Sequence, residues 1–191
     1  TIAVTTLAIP VYYSRGSGYV SDDIWSDTPT GAAGPAVFTS GSSMVIQAGD
    51  TVNNASNVDL DTLTVEATGD LELSTATSFN VHGDAYFNGG LTADDNSTLA
   101  LLGTGGVTLS SANPLSFYDL TANVPGDLTT AATLSIRGTL LLVDGDFDAS
   151  SGAVTLASDV TGTGRLGPVG GGASFTGNMT VQRYIPAGHT N

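Results

Sequence analysis

The sequence of 191 residues contains no lysine and no cysteine, and it has only four Lys+Arg residues, all of them arginine. Each shortage excludes something. Helical proteins solvate their outer faces with Lys, Arg and Glu, and Glu occurs here only at Glu66 and Glu72, so a helical fold is not expected. Four scattered arginines cannot form the basic footprint of a nucleic-acid partner. The absence of cysteine removes disulfides, thiolate metal sites and thiol nucleophiles together, and leaves the cellular compartment open. No run approaches the eighteen or so apolar residues that span a bilayer, so no membrane span is expected. Charged residues make up 12% of the chain, against roughly a quarter in ordinary globular proteins.

What is present is equally one-sided. There are 25 glycines, 27 threonines and 19 serines, and 18 acidic residues give a formal net charge of −14. Apolar content of 40% and a mean hydropathy of +0.16 are too high for a solvated coil. The composition predicts a β-rich acidic chain whose surface is dressed in Thr, Ser, Asn and Asp.

Along the chain, residues 1–13 read as an apolar N-terminal strand carrying Ile2, Val4, Leu7 and Ile9, suited to capping or assembly. They lack a basic leader region and an initiator Met, as expected of a processed N-terminus. Residues 14–43 are rich in Gly, Ser, Pro and Asp and read as an entry region of loops around one buried anchor, Trp25. Residues 44–176 read as a β-solenoid, and 177–191 as a closing strand and tail.

The solenoid reading rests on apolar doublets with i, i+2 spacing, the signature of a strand with one buried face. They are Leu63/Val65, Leu71/Leu73, Phe79/Val81, Leu99/Leu101, Val107/Leu109, Leu115/Phe117, Leu134/Ile136, Leu140/Leu142 and Val154/Leu156. Many start about eight residues apart, separated by turn-forming Gly, Asn, Asp, Ser and Thr. A longer recurrence aligns Val58–Leu71 with Leu115–Leu128, and Phe79–Phe87 with Leu134–Leu142, at offsets of 57 and 55 residues. Stacked repeats favour a right-handed parallel β-helix over the alternative, a β-sandwich.

Some of these residues also have a familiar look. Tyr12-Tyr-Ser-Arg-Gly-Ser-Gly18, Ile24-Trp25-Ser and Met44-Val-Ile46-Gln-Ala-Gly49-Asp-Thr-Val52 resemble the entry region of β-helical surface proteins of Bacteroidetes. Leu115-Ser-Phe-Tyr-Asp-Leu120-Thr-Ala-Asn123 resembles their recurring rung, and Gly177-Asn-Met-Thr-Val-Gln-Arg183-Tyr-Ile-Pro186-Ala-Gly188 the segment that closes it. The resemblance implies an adhesin-like or matrix-like protein exported by the type IX route, located outside the cell or on its surface. It also implies a C-terminal sorting domain, which the residues up to Asn191 do not supply.

Candidate chemistry is sparse. Asp144, Asp146 and Asp148 open like a calcium loop, but an EF-hand needs Gly at position 149 and Glu at 155, where Ala149 and Thr155 stand. A solvated acidic corner is the favoured reading, with a Ca²⁺ site as the alternative; no other cofactor is expected. Polysaccharide cleavage needs paired carboxylates and usually a basic partner, and the two histidines, His82 and His189, are isolated. Thr51 and Thr62 follow aspartates and precede apolar residues, which the resemblance marks as candidate O-glycosylation sites. Tyr19, Tyr86 and Tyr118 are candidate platforms for surface glycans. Thr-x-Thr pairs suggest an ice-binding array only if they come into register. The expectation is a non-enzymatic structural protein forming a homo-oligomer or filament. Strand addition would use Ile2, Val4, Leu7 and Ile9, or Met179, Val181 and Ile185; a glycan-binding module is the alternative, and a glycan-cleaving enzyme a further one.

Overall fold

The computed structural model describes residues 8–160 and 162–185. Within them the chain is all β, and its strands stack in parallel as a β-solenoid of about seven turns. The first coil contains β1 (Val11–Ser14) and β2 (Gly18–Tyr19), followed by β3 (Trp25–Ser26) in the entry loops. Three strands then make each coil: β4 (Ser43–Ile46), β5 (Thr51–Asn54) and β6 (Val58–Leu60); next β7 (Leu63–Val65), β8 (Asp70–Leu73) and β9 (Ser78–Val81). The fourth coil is β10 (Ala85–Phe87), β11 (Gly90–Ala93) and β12 (Thr98–Leu101), and the fifth β13 (Val107–Ser111), β14 (Leu115–Phe117) and β15 (Asp119–Asn123). The sixth opens with β16 (Leu128–Thr130) and β17 (Thr133–Ile136). A long strand, β18 (Thr139–Leu156), then bends round all three faces, and β19 (Arg165–Leu166) and β20 (Gly172–Val181) finish the stack.

Three faces result. Face one is β1-β4-β7-β10-β13-β16, continued by the middle of β18 and the start of β20. Face three is β6-β9-β12-β15, continued by the start of β18 and then β19. Face two holds the ladder β2-β5-β8-β11 and, further on, β14-β17 with the ends of β18 and β20. The ladder on face two is broken between β11 and β14, which lie side by side without pairing. Met44 pairs with Leu63, Leu63 with Ala85, Ala85 with Leu109 and Leu109 with Thr130, so these coils take 19 to 24 residues, while the last takes 25 from Val154 to Met179 and 28 from Phe147 to Phe175.

Every one of the nine doublets is buried. Alternation sends one residue of each strand inward and the next outward, so each coil contributes short apolar rows to a single axial core. The recurrence at 57 and 55 residues has a different meaning from the one its alignment suggests. It lays β6 of face three on β14 of face two, and β9 of face three on β17 of face two. The matched segments are eight strands apart, which is two coils and two faces rather than a whole number of coils.

Tight corners join the faces. The N–H of Asp50 donates to Gln47 O, that of Gly69 to Glu66 O, that of Thr77 to Ser74 O, and that of Ser97 to Asp94 O. The residue before each donor has positive φ: Gly49 84°, Thr68 68°, Ala76 58° and Asn96 60°. Only glycine takes this conformation without steric cost, so three of these four corners hold strain. Gly145, with φ of 80°, meets a second constraint: a Cβ there would overlap Val124 O of the preceding coil.

The parallel stack starts at Val11, well before the expected start at residue 44, because β1 pairs with β4 on one side and antiparallel with β3 on the other. Residues 11–13, expected in an assembly segment, therefore belong to the protein's own first coil. Trp25 anchors the entry loops as expected: it is buried, its indole Nε1 donates to Val20 O at 2.9 Å, and its ring meets Phe38 edge-on at 4.8 Å. Tyr12 meets Phe38 from another side at 5.2 Å, and Val20, Ile24 and Ala36 pack on the same core. Folded chain thus covers the N-terminal end of the solenoid.

Candidate functional site

The C-terminal end has no comparable cover among the described residues. Leu166 pairs with Leu140, Phe175 with Phe147, Met179 with Val154 and Val181 with Leu156. The four partners in the coil beneath are buried, so these positions continue the inward rows of the core. Yet Leu166 is 43% and Val181 68% exposed, and Phe175 and Met179 are only partly buried. Phe175 rests edge-on against Phe147 at 5.6 Å with its other side uncovered by a further coil. Ile185, beyond the strand, is exposed as well. Met179, Val181 and Ile185 therefore gather at one end of the molecule. At the other end Ile9 is exposed, while Ile2, Val4 and Leu7 lie outside the described residues.

The three aspartates read as a calcium loop are spread along β18. Asp146 and Asp148 alternate with the inward Phe147 and Ala149, so their carboxylates face outward. Asp144 Oδ1 accepts the N–H of Gly145, Asp146 Oδ1 accepts the Ser174 hydroxyl at 2.8 Å, and Asp148 Oδ1 accepts the N–H of Ser150 at 2.8 Å. Hydrogen bonds from the Ser150 side chain and backbone hold the Asp148 carboxyl below its ordinary range. Among the described residues no three His, Asp or Glu side chains converge on a point that could hold a metal ion.

Carboxylates also tie coils together. Gly-Asp occurs five times, at Gly49-Asp50, Gly69-Asp70, Gly83-Asp84, Gly126-Asp127 and Gly145-Asp146. Every one of these aspartates accepts a hydrogen bond from a neighbouring coil. Asp50 takes the Ser14 hydroxyl and the Gly16 N–H, Asp70 the Thr92 hydroxyl, Asp84 the Thr108 N–H, Asp127 the Asp146 N–H, and Asp146 the Ser174 hydroxyl. Charged acceptors make the stronger bonds of this kind. The recurring dipeptide was the sequence signal for this role.

Arg137 is a second kind of tie that the sequence did not disclose. Its guanidinium reaches from the sixth coil to the fourth, donating to Ala93 O at 2.6 Å and pairing with Asp95 at 3.5 Å. On the way it passes 5.9 Å from the centre of the Tyr118 ring.

The three tyrosines do not form a common platform. Tyr19 is half exposed on β2 of face two, Tyr86 is 37% exposed on β10 of face one, and Tyr118 sits half-buried between β14 and β15. Tyr19 lines a depression of about 310 Å³ on face two with Ser17, Thr51, Asn53 and Glu72. Tyr86 stands beside another groove of about 310 Å³ on face one, lined by Thr108, Ser110, Thr129, Ala131, Asp148 and Ser150. Thr51 and Thr62 are half-buried; the Thr62 hydroxyl donates to Ser43 Oγ at 2.7 Å, and Asp50 before Thr51 is occupied by Ser14 and Gly16. Thr62 and Thr64 do not extend into a flat threonine array, because they meet Asp84 and Tyr86 on the next coil.

No protein-family model, curated protein or solved structure matches this chain. Among the described residues no helix is long and apolar enough to cross a membrane.

Proposed function

We propose that the chain is a structural segment of an extracellular surface fibre, matrix or adhesin, a non-catalytic rod that assembles end to end. The observation that carries this reading is the row Leu166, Phe175, Met179 and Val181, in register with a buried row beneath and, among the described residues, without a coil above it. Full burial of a Leu or Val side chain is worth about 1.5–3 kcal/mol, so a strand laid on this end has a driving force. The unpaired backbone edge of β20 adds ladder hydrogen bonds to that force. The occupant in this reading is the apolar segment before Pro10 of a second copy. Ile2 and Val4 alternate in its sequence at the spacing of a strand with one apolar face, and from Val11 onward the chain is engaged in its own first coil. Placement outside the cell rests on the resemblance carried by the entry and closing segments.

Sedimentation velocity and electron microscopy test the reading on three proteins: the full chain, a deletion of residues 1–9 that spares β1, and Val181→Asp. The full chain should form concentration-dependent end-to-end assemblies that both variants lose. A full chain that stays monomeric at every concentration, or assembly that survives the deletion, would sink the proposal.

A further inference from the structure

Face one carries an ordered set of groups that the end-to-end reading does not use. Thr108, Thr129 and Asp148 are ladder neighbours on three successive coils, and the Thr108 N–H is held by Asp84 of the coil before. Beside this column Tyr86 pairs with Ser110, and Ala131 and Ser150 line the groove further along. The outward side of face one is therefore two columns wide over four coils. Its methyl groups come from Thr and Ala131, its hydroxyls from Thr and Ser, and its carboxylates from Asp84 and Asp148.

The Tyr86 ring is held in place. Its hydroxyl donates to Asp84 Oδ2 at 2.7 Å, two residues back on the same outward side, so the ring lies along the strand instead of standing off the sheet. That hydrogen bond also raises the phenol above its ordinary range, keeping it a donor. Asp148, bonded to Ser150, keeps outward acceptor capacity beside the groove. Arg15, Arg137, Arg165 and Arg183 do not line it. A surface with two carboxylates and no cation disfavours an anionic ligand and leaves hydroxyl donors as natural partners.

We infer that face one binds an extended neutral oligosaccharide along the solenoid axis, one sugar per coil, with the apolar face of one sugar on Tyr86 and hydroxyls of another on Asp148. Neighbouring strands in a sheet stand about 4.8 Å apart, so Tyr86 and Asp148, three coils apart, are separated by about 14 Å along the axis. One coil is close to the length of a single sugar unit in an extended chain, and the site therefore spans four units. A groove of about 310 Å³ is at the small end of the range for ligand sites, which suits a weak contact repeated along a surface. The inference does not rest on end-to-end assembly, since face one is formed within a single copy.

The test uses the intact chain and neutral glucose-, xylose- and mannose-based oligosaccharides of two to six units, with oligogalacturonate as the acidic comparison. Titration calorimetry gives affinity, and amide NMR shifts give location. At least one neutral series should bind, with affinity rising to four units and then levelling, and with shifts at Thr108, Thr129 and Ser150. Tyr86→Ala should weaken binding about tenfold, the loss of one ring contact. Asp148→Asn should weaken it several-fold, and Tyr19→Ala on face two should leave it unchanged. Circular dichroism identical to that of the parent shows that the variants fold. The inference is overturned if no neutral series binds at about 10 mM, the weak limit of such contacts. It is equally overturned by preference for the acidic series, by affinity independent of length, or by full affinity in both face-one variants.

Discussion

Asp70 shows how much one carboxylate is asked to do at a corner. It follows Gly69, accepts from the Thr92 hydroxyl at 3.4 Å, and lies over Gly90, where a Cβ would overlap its Oδ1. Partial burial pushes its carboxyl above the ordinary range, and nearby Glu72 adds to the shift, against a smaller opposing effect of the Thr92 hydrogen bond. A raised carboxyl in the folded state favours folding in its protonated form. That contribution is complete below the unfolded value near 3.9 and is lost as pH rises through the raised folded value. At neutral pH the ionised group is therefore a burden. Asp70→Asn should raise the melting temperature at pH 7, with the gain shrinking to nothing as pH falls below about 4. Thermal melts of both proteins from pH 3 to 8 check this; a constant difference across the range would contradict it.

Among the elements, the corners are where this fold stores strain, and Thr68 is the clearest instance. A β-branched residue with φ of 68° is an outlier. Thr68→Gly should stabilise the protein by up to about 1 kcal/mol, relief of the left-handed conformation outweighing the added freedom of the unfolded chain. Gly145→Ala should do the reverse by a larger amount, because its Cβ would also meet Val124 O. Denaturant midpoints of the two variants read both signs. The strands were far more legible in the sequence than the corners. Strand burial follows from alternation alone, which is why Leu63/Val65 through Val154/Leu156 could be placed inward without knowing the fold. Which face a strand occupies does not follow. All three faces require the same inward Leu, Val, Ile or Phe, so Val58–Leu60 of face three resembles Leu115–Phe117 of face two as closely as any true neighbour. Asp144, Asp146 and Asp148 were ambiguous for a related reason: short Asp spacings suit both a cation and a corner. Only the position of the neighbouring coil separates the two uses. Arg137 left no local sign at all, because its partners Ala93 and Asp95 are more than forty residues away.

At the scale of the whole molecule, coils touch chiefly their neighbours, with Arg137 reaching one coil further, so stability is close to a sum of coil and interface contributions. The two ends are not alike. Among the described residues Trp25, Phe38 and Tyr12 close one, while Leu166 and Val181 are exposed at the other. Under tension this difference sets an order of events. A pull applied to residue 185 meets a last coil bound on one side only, which peels away from its neighbour before anything else yields. Coils of 19 to 28 residues then release about 60–100 Å of chain each. A pull applied near residue 8 must first dislodge the Trp25 cap and the bonds of Ser14 and Gly16 to Asp50. Optical-tweezer tethers from Ser110 to either end should record small successive steps at low force on the C-terminal side, and one larger rupture at higher force on the N-terminal side. Equal forces on both sides would refute this order. A rod built this way transmits load from its closed end and lengthens gradually from its open one, the behaviour of a shock absorber whose travel is counted in coils.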